Sequence, residues 1–182
     1  MSTEKKPRLH LPLAVDRPAE ADYSVPAPSD YDALSRDWVD VRSLRTEDLA
    51  DLVRIDRQIT GRARQDYIAS KVKEALLDSG LRVSLTAAID GIVAGFIMAR
   101  LDYGEFGHME PVATMDTIGV SPDYAGRGVG KALVSQLLAN LRALGVERVE
   151  TSVACDDLAL LGFLYRCGFR PSRRLAFAKK IA

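Results

Sequence analysis

The stretch Ile118-Gly-Val-Ser-Pro-Asp-Tyr-Ala-Gly-Arg-Gly-Val-Gly-Lys131 constrains this chain more than any other part of it. An apolar, β-branched run with Thr117, Ile118 and Val120 reads as a buried strand, and Ser121-Pro122-Asp123 breaks it. Glycines then alternate at Gly126, Gly128 and Gly130. They lead without a gap into a helical pattern over Lys131–Leu144, with Leu133, Leu137, Leu138, Leu141 and Leu144 at helical spacing. A glycine-rich loop entering a helix leaves several N–H groups without acceptors, all pointing one way, and the helix dipole adds partial positive charge. Such a unit binds phosphate or pyrophosphate.

Different phosphate loops demand different residues. A nucleotide-triphosphate loop needs a glycine, four residues, then Gly-Lys-Ser/Thr. Ala125 occupies the position of that first glycine and Ala132 replaces the hydroxyl, so this pattern fails twice. The dinucleotide fingerprint fits Gly126 and Gly128, and Glu150 lies where a ribose-binding acid belongs, but Lys131 stands at the third glycine. Five residues also separate Val120 from Gly126, which is long for that tight turn.

The segment Ala125-Gly-Arg-Gly-Val-Gly130 is similar to the Q/R-x-x-G-x-G/A signature of the GNAT superfamily of N-acetyltransferases, again between a strand and a long helix. Downstream, Leu160-Leu-Gly-Phe-Leu-Tyr-Arg-Cys-Gly-Phe169 resembles that family's closing helix and terminal Gly-Phe, and the resemblance runs from about Val39 to the C-terminus. It implies an α/β (α+β) fold: a mixed, mostly antiparallel sheet of about six or seven strands with about four helices, splayed between the strands near 112–120 and 148–155. It implies acetyl-CoA as co-substrate, with pantetheine along the backbone of Ile118, Gly119 and Val120 and the diphosphate over Gly126, Arg127, Gly128, Val129, Gly130 and Lys131. The activity implied is acetyl transfer to a primary amine within a ternary complex, with no metal.

Two residues are candidates for the chemistry. Asp116 lies two residues before Ile118, and strict alternation would place Thr114, Asp116, Ile118 and Val120 on one face. A carboxylate in an apolar strand either binds or deprotonates the amine, or pairs with an arginine. The family's tyrosine position is Leu164 here, and Tyr165 comes one residue later, about 100° further around the helix. Tyr165 is either the acid for the leaving thiolate or a packing tyrosine. Ala125 in place of Gln/Arg, and Asp157 in place of the family's Asn, are further departures. Together these leave open a second class of function, an acyl-CoA-binding sensor or assembly module with little or no turnover. Glu105, His108 and Glu110 precede the Asp116 strand on the expected acceptor side. Asp56, Arg57, Arg62, Arg64, Asp66 and Tyr67 belong to the helix pair that would shape the acceptor pocket, where the arginines either clamp an acceptor carboxylate or are solvated.

Around this unit the chain divides in two. Residues 1–37 hold five of the eight prolines and little periodicity, and read as a flexible or surface-draped arm whose Leu9, Leu11, Leu13 and Val15 offer a docking stripe. Residues 38–182 read as one domain. Its expected order is a strand near Val39, helices 46–60 and 65–78, strands 83–89 and 92–101 joined by Asp90-Gly91, strand 112–120, the long helix, strand 148–155, helix 157–167 and a last strand 174–179. Thr46 is the expected N-cap of the first helix. The 25 basic and 25 acidic residues balance, so no overall field selects nucleic acid or an anionic membrane. No apolar run reaches membrane-spanning length and the N-terminus lacks a signal-peptide pattern. Cys155 and Cys167 form neither a disulfide framework nor a metal motif, which suits a cytoplasmic protein. The basic C-terminal segment, alternating with Leu175 and Phe177, reads as a charge-protected edge strand and offers a homodimer seam.

Overall fold

A computed structural model describes residues 38–77, 82–102, 111–174 and 177–181. Five strands form one sheet in chain order: β1 Asp40–Ser43, β2 Arg82–Ile89, β3 Ile92–Asp102, β4 Val112–Val120 and β5 Arg148–Glu150. Neighbours from β1 to β4 are antiparallel, and β5 joins β4 in parallel. Four helices accompany them among the described residues: α1 Leu49–Thr60, α2 Gln65–Leu77, α3 Val129–Ala143 and α4 Leu158–Arg166.

The sheet is covered on both faces, as alternation along β3 requires. Phe96 and Met98 face α1 and α2, where Leu52, Ile55, Ile68 and Val72 close one core. Ile97, Ala99 and Leu101 face α3, where Leu133, Leu137 and Leu141, joined by Leu164 of α4, close the other. Leu138 and Leu144, which spacing puts on the buried stripe of α3, are in fact 37% and 45% exposed. The turn between β2 and β3 is the expected Asp90-Gly91 hairpin, with φ of 52° and 78°.

The sheet departs from expectation in three places. It has five strands among the described residues, not six or seven. Arg174 and residues 177–179 lie in no strand; Arg174 instead reaches the Glu150 carboxylate with its guanidinium at 3.4 Å, an ion pair that holds the segment by a side chain. The expected strand 148–155 is regular only to Glu150, because the ladder ends at the Thr114–Glu150 pair and Thr151 turns its hydroxyl to the Met115 carbonyl at 2.9 Å. Finally, the β3–β4 register shifts: Met98 opposes Thr117 and Ala99 opposes Met115, leaving Asp116 as an unmatched bulge residue. The bulge reverses alternation. Ala113 and Met115 before it and Ile118 and Val120 after it all pack into the α3-side core, so Asp116 does not share a face with Ile118 and Val120. The arm at 1–37 and the loop residues Glu105, His108 and Glu110 lie outside the described residues.

The entry to α1 is organised by Asp48 rather than Thr46. Its carboxylate is 4% exposed and accepts Arg42 Nη1 and Nη2 at 2.8 and 2.7 Å, the Arg45 amide at 2.9 Å and Thr86 Oγ1 at 3.2 Å. Burial alone would raise its pKa, but the Arg42 hydrogen bonds, the Arg45 amide, the Arg42 charge and Thr86 together hold it below the ordinary carboxylate value. A depressed folded-state pKa contributes stability above the unfolded-state pKa, lost as pH falls through the folded value. Asp48→Ala is expected to cost about 3 kcal/mol at pH 7 in urea denaturation, as for a buried pair losing one partner. The gap between wild type and variant should narrow as pH is lowered from about 5 toward 2.

Candidate cofactor loop and active site

β4 ends at Val120, and the next amide fastens the chain: Ser121 N–H donates to the Ala94 carbonyl at 2.8 Å and its side chain is fully buried. Pro122–Tyr124 makes one 3-10 turn, bonded from Tyr124 N to Ser121 O at 2.9 Å and from Ala125 N to Pro122 O at 3.1 Å. Arg127 N returns to Tyr124 O at 3.3 Å, so this amide is engaged by the turn. Regular helix bonding then begins at Ala132, whose N–H donates to Gly128 O at 2.9 Å. The amides of Gly128, Val129 and Gly130 belong to the first turn and have no acceptor within the helix.

The alternate glycines serve separate physical needs. Gly126 and Gly128 take φ of 76° and 81°, the left-handed region that disfavours a side chain, and a Cβ on Gly126 would meet no atom within 4 Å. They bend the chain around open space. Gly130 is inside α3, where a Cβ would lie 3.1 Å from the Phe163 ring, so it is small to admit α4. Gly95 on β3 matters as much: a Cβ there would lie 2.9 Å from both the Gly119 carbonyl and Val129 Cγ1. The bare backbone lets the first turn of α3 sit directly on the sheet.

Beside this loop, β4 has a free side. β5 pairs only with Val112–Thr114, while β4 runs on to Val120. Ile118, Gly119 and Val120 therefore pair with β3 on one edge and, among the described residues, with no strand on the other. The structure brings these three residues and Gly126–Lys131 to one end of the sheet. Arg127 is exposed, with its guanidinium 5.4 Å from the centroid of the Tyr124 ring, and Lys131 is half-buried.

The catalytic candidates lie elsewhere around β4. Asp116, whose side chain is 16% exposed, pairs with Arg100 of β3. Arg100 also approaches Asp102 at 3.5 Å, and Thr114 Oγ1 donates to Asp102 at 3.2 Å. Spacing alone does not single out this arginine, although it closes an apolar run on β3. On α4, Leu164 is buried at 5% exposure and Tyr165 is 48% exposed. Tyr165 lies about 200° around the helix from Phe163, which touches Gly130, and so points away from the glycine loop. It borders a cavity of about 630 Å³ lined by β5, α4 and the segment after α4, shared with Thr114, Thr151, Val153 and Arg170, and the Arg170 guanidinium sits 5.7 Å from its ring centroid. Asp157, in contrast, acts locally, because its carboxylate accepts the Leu160 amide at 3.0 Å and caps α4.

At the α1–α2 junction, Arg64 is committed to the buried Asp56, donating from Nε at 3.1 Å, and it lies 5.0 Å over the Tyr67 ring. The hydrogen bonds and charge of Asp56 raise its pKa against a smaller opposing effect of burial. Arg57 and Arg62 are exposed. Among the described residues no three His, Cys, Asp or Glu side chains cluster as metal ligands, and no helix is long and apolar enough to cross a membrane.

The profile of the acetyltransferase (GNAT) family matches residues 38–169. The chain belongs to this family. A mycothiol acetyltransferase of Clavibacter michiganensis subsp. michiganensis is 32% identical over 110 residues, which is 60% of this chain and 33% of that protein. The chain thus spans about a third of that relative's length. Among solved structures, the aminoglycoside N-acetyltransferase AAC(6')-Iy in complex with CoA superposes with a TM-score of 0.67 at 22% identity, over 79% of this chain and 95% of that one. The aminoglycoside 6'-N-acetyltransferase AAC(6')-Ih from Acinetobacter baumannii gives 0.66 at 18%, over 79% and 99%. These superpositions establish that the GNAT fold is shared.

In this GNAT chain the loop glycines should respond differently to substitution. Gly128→Ala is expected to cost about 1–2 kcal/mol in thermal or chemical denaturation, because its φ is left-handed. Gly130→Ala should be strained beside Phe163 but become stabilising by up to about 1 kcal/mol in a Phe163→Leu background, the gain expected for removing a helical glycine. A double-mutant cycle measures that reversal.

Proposed function

We propose that this protein transfers an acetyl group from acetyl-CoA to a primary amine of a small molecule or protein. The observation that carries the reading is the start of α3, whose Gly128, Val129 and Gly130 amides have no acceptor within the helix, reached through Gly126 and Gly128 and set beside an edge of β4 that no described strand pairs. An anionic diphosphate suits the amides of Gly128, Val129 and Gly130 within the 126–131 loop, with Arg127 and Lys131 supplying nearby positive charge. The extended pantetheine arm suits the free edge at Ile118, Gly119 and Val120, in the manner of an added strand in a splay between β4 and β5. In the transfer, the amine nitrogen bonds to the thioester carbonyl carbon, the C–S bond breaks, and the proton lost by nitrogen ends on the departing sulfur. Asp116, paired with Arg100, is the proposed carboxylate that binds the amine and takes up its proton, directly or through a bridging water. Tyr165 is the proposed proton source for sulfur, reached through solvent from its half-exposed position. No step calls for a metal.

The similar proteins are named for aminoglycosides and mycothiol, which supports trying small-molecule amines first as acceptors. Cys155 and Cys167 are not in a disulfide, which supports a reducing, cytoplasmic setting. A homodimer seam is proposed along the outer side of β5, next to the C-terminal segment with its exposed Phe177 and Ile181.

The second reading, an acyl-CoA-binding sensor or assembly module, is favoured by one observation: the family's tyrosine position is the buried Leu164, and the neighbouring phenol points away from the loop. Two measurements decide among these. Acetyl-CoA and CoA should raise the melting temperature of the purified protein while NAD does not; no shift with either CoA species at saturation sinks both readings. Next, Asp116→Asn and Tyr165→Phe are compared by CoA affinity and by thiol release against an amine panel. An acetyltransferase should keep its CoA affinity and lose about 100-fold in turnover with Asp116→Asn, the lower range for a proton-transfer group. A binding module would release no thiol with any of the three proteins.

A further inference from the structure

We propose that Gln58 is a positioning residue that fastens the cofactor loop to α1 and so pre-forms the loop for CoA. The inference rests on the CoA-loop assignment above. Gln58 lies in the last turn of α1 and spends both ends of its side-chain amide on the loop. Ser121 Oγ donates to Gln58 Oε1 at 3.1 Å, and Gln58 Nε2 donates to Asp123 Oδ2 at 3.1 Å. These two partners flank Pro122. One of them, Ser121, is fully buried and is tied by its own amide to β3; the other sits in the exposed 3-10 turn.

The consequence is positional. The backbone bonds from Pro122 to Gly128 are short turn bonds, Tyr124 to Ser121, Ala125 to Pro122 and Arg127 to Tyr124, and the Tyr124 side chain packs on the α3-side core. The Gln58 amide fixes the turn relative to α1. The next residue, Ile59, reaches the same place from the other side, with Cδ1 3.3 Å from where a Gly119 Cβ would stand. One helical turn therefore touches both β4 and the loop. A loop already in its binding geometry loses less freedom when the diphosphate arrives.

The test is calorimetric titration of CoA into wild type, Gln58→Ala, Asp123→Ala and the double variant, with hydrogen exchange on the CoA-free proteins. Gln58 is exposed, so its truncation leaves both cores intact. Each single variant should bind CoA about fivefold more weakly, the size of one ordinary hydrogen bond, and the double no more weakly than Gln58→Ala. Amides of the turn should exchange faster while those inside α3 are unchanged. Gln58→Glu alone should be worse, since it faces Asp123. Pairing it with Asp123→Asn should restore binding, because the glutamate then accepts from both Ser121 and the new amide. Affinity within twofold of wild type in both single variants, with unchanged exchange, overturns the inference and leaves the CoA loop standing. Failure of the wild-type protein to bind CoA overturns the loop assignment and the inference with it.

Discussion

The contact between Gly95 and the first turn of α3 is the constraint on which the rest depends. At Gly95 the backbones of β3 and β4 and the side chain of Val129 approach more closely than a Cβ permits. Dispersion weakens steeply with sub-ångström gaps, so a helix seated on bare backbone is located more sharply than one resting on flexible side chains. Because α3 starts where it is seated, the direction of its unpaired amides is set by the sheet. The glycine loop then only has to bridge from Val120 to that point, and its left-handed residues make the turn. On the opposite face, Phe96 packs against Gly119 and closes the same end of the sheet from below.

Much of this was legible from residue spacing. The hairpin at Asp90-Gly91, the bounds of β4 and the three longest helices follow from local chemistry, where turn residues and apolar periodicity agree. The core did not follow as fully: Leu138 is turned about 100° from the buried Leu137 onto the flank of α3, and Leu144 comes just after the helix ends, so both are partly exposed. The bulge at Asp116 was illegible for a different reason. A register shift belongs to a pair of strands, and β4 alone reads as unbroken alternation. Asp48 was hidden likewise: Thr46 has the better local signature, but only the folded chain brings Arg42 and Thr86 to the aspartate.

The candidate site divides along the same line. The loop residues are adjacent in sequence and their geometry is a local property, so their grouping was readable. The side chains around them come from distant elements: Gln58 lies 65 residues from Asp123 and Arg100 lies 16 from Asp116. Tyr165 shows the converse limit. Its displacement by one place from the family pattern is visible in the sequence, and helical geometry converts that single step into a different direction.

The parallel seam between β4 and β5 has a mechanical consequence. Three residue pairs and the Thr151–Met115 bond tie β5 to the sheet, whereas β3 and β4 are laced along nearly their full length. Load applied to the C-terminal end would be carried in series through this short seam and the packing of Phe163 and Leu164. The seam is the fuse of the molecule: β5 and α4 would peel away as a unit, with the four antiparallel strands and α3 still assembled behind them.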